Sequence, residues 1–139
     1  MPRVLILCTG NSARSQMAEG FLRSLGVDAV SAGTEPAERV NRFAIEAMAE
    51  AGIDISGGWP KHVDRFLDDQ FDHVITVCGS ADQACPAFRG EVKHRVHIGF
   101  PDPAAVAGPD EEKRNAFRAV RDDIARRIGS YFEKEIERR

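Results

Sequence analysis

The sequence has no excess of positive charge and no long apolar run. Its 139 residues include 19 Lys and Arg against 22 Asp and Glu, a net charge of −3, so it lacks the cations that would neutralise a run of phosphates. We therefore expect no nucleic-acid partner. The N-terminal apolar run, from Val4 to Cys8, is far shorter than a membrane span or the core of a signal peptide. We expect a cytoplasmic protein with no membrane partner.

Cysteine is scarce, since only Cys8, Cys78 and Cys85 are present. In a reducing compartment, cysteines are catalytic, metal-binding or part of the core far more often than they form structural disulfides. A zinc site is disfavoured because the spacing is wrong and no histidine pair accompanies it. We therefore expect no metal, and we interpret the thiols as chemical or core residues.

The apolar residues that are present, 42 % of the chain, suffice for one domain over residues 1–139. Strands are predicted at 4–7, 28–31, 73–77 and 96–100, and helices at 13–25, 39–51 and from Asp110 onward, with a short helical stretch at 63–67. The last helix carries an apolar stripe formed by Phe117, Val120, Ile124, Ile128, Phe132 and Ile136. This alternation predicts an α/β fold, a single-domain three-layer sandwich with a four-stranded parallel sheet.

Three reactive side chains follow strands of this predicted sheet. Cys8 follows the first strand, Cys78 follows the third, and Asp102 lies two residues past the fourth. Ligands of parallel α/β sheets bind at the carboxyl ends of the strands. The sequence therefore predicts that these three side chains share one edge of the sheet.

The segment between the first strand and the first helix has the features of an oxyanion-binding loop. Its backbone N–H groups can converge on a tetrahedral anion at the start of a helix, and they belong to Thr9, Gly10, Asn11, Ser12, Ala13 and Arg14. Gly10 permits a tight turn, Asn11 tolerates a left-handed backbone, and Arg14 can bind two oxygens of the anion.

The same loop predicts a sulfur nucleophile. The field that attracts an oxyanion should also lower the pKa of the Cys8 thiol, and Ser15 can donate a hydrogen bond to the sulfur. The residues alone thus indicate a thiolate that binds and attacks an oxyanion.

The run from Cys8 to Ser15, followed by Gln16-Met17-Ala18-Glu19, resembles arsenate reductases of the low-molecular-weight protein tyrosine phosphatase superfamily. The resemblance covers nearly the whole chain, including residues 31–34, 53–56 and 99–104 and the segment with Cys78 and Cys85. It implies a low-molecular-weight phosphatase-like fold, and it implies that Cys8 attacks arsenate to form a covalent thiol–arsenic adduct.

The resemblance also implies roles for the other two cysteines. In thioredoxin-coupled reductases, a second cysteine attacks the adducted one and releases arsenite, and a third moves the disulfide outward to thioredoxin; these roles fall to Cys78 and Cys85. Thioredoxin is then an external reductant, and no bound cofactor is expected. A helix over residues 78–85 would separate the two Cα atoms by roughly 10 Å, beyond the limit of about 7 Å for a disulfide. We therefore predict that this segment rearranges on oxidation.

Asp102, in an Asp-Pro pair, is the candidate general acid, at the position where the resemblance places the family's acid, and a turn formed by the Asp-Pro pair is the alternative. A low-molecular-weight phosphatase is the main alternative function, and we expect the reductase to have a weak phosphatase side activity because the two enzymes share the loop and the acid. Related phosphatases usually follow this Asp-Pro with tyrosines, whereas this chain has Ala104-Ala105 and a single tyrosine, Tyr131. A non-enzymatic oxyanion-binding or redox-sensing module is a third interpretation. We expect a monomer.

One departure from the family concerns a cation. Some of these reductases bind potassium through counterparts of Asn11, Glu19 and Ser31, together with a Thr and an Asp at positions where this chain has Trp59 and Lys61. We therefore expect no potassium site, and we hypothesise that the Lys61 ammonium replaces the cation by pairing with Glu19 and supporting Asn11. An ordinary surface lysine is an equal alternative.

Overall fold

The computed structural model describes the backbone of residues 2–137 and the side chains of residues 2–134. The strands are β1 (Arg3–Cys8), β2 (Asp28–Gly33), β3 (Phe71–Thr76) and β4 (Val92–His97). The helices are α1 (Arg14–Ser24), α2 (Arg42–Glu50), α3 (Gly79–Gln83) and α4 (Asp110–Glu137), and two short 3-10 turns span Val63–Phe66 and Pro103–Ala105.

The four strands form one parallel sheet in the order β2-β1-β3-β4. Val4, Leu5, Ile6 and Leu7 of the central strand β1 are all 0 % exposed. Since successive side chains of a strand point to opposite faces, both faces of the sheet are covered. The predicted three-layer α/β sandwich with a four-stranded parallel sheet is confirmed.

The stripe on α4 is buried as predicted for Phe117, Val120, Ile124, Ile128 and Phe132, and the side chain of Ile136 lies outside the described residues. Across the described range, no helix combines the length and the apolar character needed to cross a membrane. The carboxyl ends of β1 and β3 lie side by side, since Leu7 pairs with Thr76. Cys8 and Cys78 therefore emerge at one edge of the sheet.

The fourth strand differs from its prediction. It spans Val92–His97 instead of 96–100, because β4 is an edge strand whose exposed side chains Lys93, His94 and Arg95 give it no apolar run. The apolar residues Ile98 and Phe100 are buried beyond its end. As a result, Asp102 follows a further stretch of loop and does not lie directly after the strand.

Candidate active site

The loop between β1 and α1 has its carbonyl groups turned toward the segment that follows β2. The carbonyl oxygens of Cys8, Thr9, Gly10 and Ser12 accept hydrogen bonds of 2.8 to 3.2 Å from the N–H groups of Thr34, Glu35, Ala37 and Asn41. In a trans peptide, the next N–H points away from the carbonyl. The N–H groups of Thr9, Gly10, Asn11 and Ala13 are therefore directed to the other side of the loop, as an anion site requires.

Backbone conformation and close packing give the loop its shape. Asn11 has a φ of 51°, the left-handed region predicted for it. A Cβ atom on Gly33, at the end of β2, would lie 2.4 Å from the carbonyl oxygen of Thr9. Only glycine therefore lets the loop pass this close to β2.

The buried amide of Asn11 is the centre of a hydrogen-bond network. Its Nδ2 donates to Ser15 Oγ (2.7 Å) and to Ser31 Oγ (2.9 Å), and Ser31 Oγ in turn donates to Glu19 Oε1 (3.0 Å). The Oδ1 atom of Asn11 accepts a hydrogen bond from the main-chain N–H of Lys61 (2.9 Å). The residues expected to support the loop thus lie together, while a contact from Ser15 to the Cys8 sulfur stays a prediction.

Gln16 belongs to the same network, although we gave it no role from the sequence. Its Nε2 lies within 3.2 Å of three acceptors, the carbonyl and Oδ1 of Asn11 and the carbonyl of Trp59. The available signal was its place in the first turn of α1, where a buried glutamine needs polar partners. Gln16 joins the loop to the segment around Trp59.

Lys61 takes a different place from the one hypothesised. Its Nζ donates to the carbonyl of Trp59 (2.8 Å) and lies 5.1 Å from the centre of the Trp59 ring. Within the described part of the chain, no ion pair joins it to Glu19, whose carboxylate lies 3.9 Å from Arg23. Burial lowers the pKa of Lys61, while the charge of Glu19 raises it. The main-chain N–H of Lys61, and not its ammonium group, therefore hydrogen-bonds to Asn11.

Arg14 is held by the stretch of chain after β4. Its Nη1 donates to the carbonyl of Phe100 (3.0 Å), and its Nη2 lies 3.9 Å from Asp102 Oδ2. The Asp102 side chain is 45 % exposed, and its Oδ1 accepts a hydrogen bond from the Ala104 N–H (3.0 Å). Asp102 therefore caps a turn, as an Asp-Pro pair does, and also presents a carboxyl group beside the predicted anion site.

The three cysteines are free thiols. Cys8 and Cys78 are both buried, and the Thr9 hydroxyl lies 3.3 Å from Cys78 Sγ. Cys85 follows α3 and is half-buried. Cys8 and Cys78 thus lie at the ends of buried strands, and Cys85 lies beyond the C-terminal end of the short helix α3.

The pKa values of the two buried thiols are shifted in opposite directions. Hydrogen bonding to Cys78, together with burial, raises the pKa of Cys8 in spite of the opposing charge of Arg14. Hydrogen bonding from Cys8 and from the Thr9 hydroxyl lowers the pKa of Cys78. The sequence predicted a lowered pKa for Cys8. This prediction is wrong, because the neighbouring thiol raises the pKa of Cys8 and the lowered pKa is found at Cys78 instead.

A cysteine opposite an arginine, at the start of a helix on a parallel sheet, is the arrangement of enzymes that bind tetrahedral oxyanions and attack them through sulfur. Comparison with known proteins agrees with this class. The chain belongs to the low molecular weight phosphotyrosine protein phosphatase family, whose model matches residues 3–139.

Within this family, the chain is similar to arsenate reductases. It is 50 % identical over 133 residues to the arsenate reductase of Halalkalibacterium halodurans, covering 94 % of each chain. The structure of an arsenate reductase in the oxidized state matches with a TM-score of 0.78 and 32 % identity, over 96 % of this chain and 98 % of that one.

A thioredoxin-dependent arsenate reductase from Corynebacterium glutamicum matches with a TM-score of 0.72 and 26 % identity, over 100 % of this chain and 64 % of that one. The predicted resemblance to arsenate reductases of the phosphatase superfamily is thus confirmed.

Proposed function

We propose that this chain reduces arsenate to arsenite through a relay of Cys8, Cys78 and Cys85, with thioredoxin as the final reductant. The observation that carries the proposal is the buried Cys78 thiol at the same sheet edge as Cys8, with the Thr9 hydroxyl 3.3 Å from its sulfur. A phosphatase needs no second thiol at this position, whereas a reductase without a bound redox cofactor needs further thiols as a source of electrons.

In the first step, the loop N–H groups and Arg14 bind the arsenate oxygens. Cys8 attacks arsenic as the thiolate, having passed its proton to the neighbouring Cys78 sulfur. One arsenate oxygen leaves as water, and Asp102, which lies 3.9 Å from Arg14, supplies a proton to it. The product is a covalent Cys8–arsenic adduct with arsenic still in its oxidised, pentavalent state.

In the second step, Cys78 loses that proton to water, and its thiolate attacks Cys8 Sγ. A sulfur–sulfur bond forms and the sulfur–arsenic bond breaks, and its electron pair stays on arsenic, which leaves as trivalent arsenite. Two thiols have then supplied two electrons. The lowered pKa of Cys78 supports this role, because the thiolate is the attacking species.

In the third step, Cys85 attacks Cys78 Sγ, and Cys8 leaves as a thiolate. The new disulfide joins the two ends of the segment containing α3, and thioredoxin reduces it. The relative from Corynebacterium glutamicum, a thioredoxin-dependent arsenate reductase, supports this choice of reductant. We propose that the chain acts as a monomer in the cytoplasm, where thioredoxin keeps thiols reduced.

We also propose that the reaction needs no potassium ion. The main-chain N–H of Lys61 donates to Asn11 Oδ1 and so already supports the loop residue that the potassium ion would contact in the potassium-binding relatives. Activity should therefore be similar in potassium and in sodium buffers. A rise of several-fold with potassium would contradict this proposal.

The phosphatase alternative is supported by the shared loop and by Asp102. Two observations disfavour it as the main activity. Ala104 and Ala105 are exposed beside Asp102, where an aromatic wall for an aryl phosphate would be needed, and Tyr131 lies on α4 against His73. A phosphatase would release phosphate from an aryl phosphate and keep all three thiols.

Single-turnover arsenate reduction tests the relay. Without thioredoxin, the wild type should release one arsenite per chain and lose two thiols. The Cys78→Ser variant should release none, and the Cys85→Ser variant should release one and stop with a Cys8–Cys78 disulfide. If both variants turned over like the wild type in the presence of thioredoxin, the relay would be wrong.

A further inference from the structure

The surroundings of Cys85 contain a cation that the relay so far leaves unused. Arg95 Nη1 lies 3.7 Å from Cys85 Sγ, and its guanidinium lies 5.4 Å from the centre of the Phe88 ring. Phe88 packs in turn against the buried Phe71, with ring centres 6.2 Å apart. An aromatic ring anchored in the core therefore supports the side chain that faces the sulfur.

Cys85 and Arg95 lie on a small cavity of about 200 Å³ between α3 and β4. The other charged or titratable side chains on it are Asp82 of α3 and His97 of β4. Thr76 Oγ1 engages both of these groups, donating to Asp82 Oδ1 at 3.2 Å and lying 2.8 Å from His97 Nδ1. Arg95 is thus the one permanent cation on the described lining of this cavity.

The charges on the cavity act on Cys85 in opposite directions. Burial raises the pKa of the Cys85 thiol, Arg95 lowers it, and Asp82 raises it. The thiolate, and not the thiol, attacks a disulfide. A nearby cation therefore favours the reactive form of Cys85, against the effects of burial and of Asp82.

We infer that Arg95 is a further catalytic residue, which stabilises the Cys85 thiolate for its attack on the Cys8–Cys78 disulfide. The inference rests on the proposed relay. In this step, Cys85 loses its proton to water, the Cys85–Cys78 bond forms, and Cys8 leaves with the electron pair of the broken bond. No oxidant or reductant is consumed, because the step exchanges one disulfide for another.

The effect on Cys85 can be measured without arsenate or thioredoxin. In the full chain carrying Cys8→Ser and Cys78→Ser, Cys85 is the only thiol, and its rate of alkylation by iodoacetamide is followed against pH. Adding Arg95→Gln should move the midpoint of the curve to higher pH and slow alkylation at pH 7 about twofold to fivefold, as expected for an exposed charge pair. Arg95→Lys should restore most of the rate.

Two controls separate this effect from a general change. Lys93→Gln removes the same charge from the same strand, at a side chain that lies 3.3 Å from Asp72, and it should leave the midpoint in place. High salt should slow alkylation of Cys85 more in the Cys8→Ser, Cys78→Ser chain that keeps Arg95 than in the same chain with Arg95→Gln, because salt screens an exposed charge. Equal midpoints for Arg95→Gln and Lys93→Gln would overturn the inference.

The relay is tested separately in chains with all three cysteines. With Arg95→Gln, the arsenite released in a single turnover should be unchanged, while conversion of the Cys8–Cys78 disulfide to Cys78–Cys85 slows by the same factor. If Arg95→Gln slowed arsenite release by the same factor, Arg95 would not act specifically in the attack of Cys85, and the inference would be wrong. A wild type that forms no Cys78–Cys85 disulfide would refute the relay, whatever the alkylation curves give.

Discussion

The oxyanion loop, residues 8–15, and the relay segment, residues 78–86, lie at the same sheet edge but are built in opposite ways. The loop is tied on both sides, by four carbonyl contacts to the segment after β2 and by the buried amide of Asn11. The relay segment contains the five-residue helix α3, in which Ala81 alone is buried, and most of the residues between Cys78 and Cys85 are exposed.

This difference corresponds to what each region has to do. An anion site works when its donors are fixed before the charge arrives, so that no reorganisation is needed during the reaction. A disulfide relay works only if its sulfurs approach one another in turn. Segments with few buried contacts open at low free-energy cost. We therefore expect substitutions in the loop to reduce stability and binding, and substitutions in the segment to change the rate of disulfide transfer.

The largest effect is expected where the loop is most tightly held. Asn11→Ala leaves its buried partners without a hydrogen bond and places alanine at a left-handed φ of 51°. The free energy of unfolding should fall by about 2–4 kcal/mol, measured by urea denaturation. The matched control is Asn115→Ala on the exposed side of α4, which should change stability by less than about 0.5 kcal/mol. Equal losses in the two variants would show that the loop is not specially braced.

The next effect concerns the contact between the two regions, from Thr9 to Cys78. Thr9→Val removes the hydroxyl 3.3 Å from Cys78 Sγ, one of the groups that lower the Cys78 pKa. The pKa should therefore rise. Since the pKa of Cys78 is lowered to about 4 and a thiolate exists above its pKa, the onset of Cys78 reactivity should move to higher pH, and alkylation near pH 4 should slow by about fivefold.

Site-resolved mass spectrometry of alkylated peptides measures this change at Cys78 itself. Thr34→Val makes the same substitution at the threonine that follows β2, and its curve should match the wild type. A Cys78 curve that is the same in Thr9→Val and Thr34→Val would mean that the hydroxyl does not stabilise the thiolate.

The loop could be predicted from the sequence because its properties are local. Cys8 and Arg14 are fixed by the end of a buried strand and the start of a helix, and the left-handed conformation of Asn11 follows from its residue type. Most of the sheet was predictable for the same reason, since β1 contains the continuous apolar run Val4–Leu7 and β3 contains the apolar pair Val74 and Ile75. Most of the fold and the predicted anion site thus depend on patterns within a few neighbouring residues.

The surroundings of the relay segment depend on contacts between distant parts of the chain. The polar edge strand β4 has no apolar pattern, so its position was predicted too late in the sequence and the contact of Arg95 with Cys85 was missed. The pKa of Cys8 was predicted in the wrong direction because a thiol 70 positions away lies next to it. Neither contact leaves a signal in local sequence.

The smallest effect should come from stiffening the relay segment. A Cβ atom on Gly79, the first residue of α3, would meet nothing within 4 Å, so alanine fits without strain. Gly79→Ala should stabilise the helix by about 0.5–1 kcal/mol and slow formation of the Cys78–Cys85 disulfide about twofold to fivefold, because the helix has to open first. Arsenite release in a single turnover should stay unchanged. Gly57→Ala, which also fits in open space, is the matched control. A disulfide that forms at the wild-type rate in Gly79→Ala would mean that the helix does not open before the transfer.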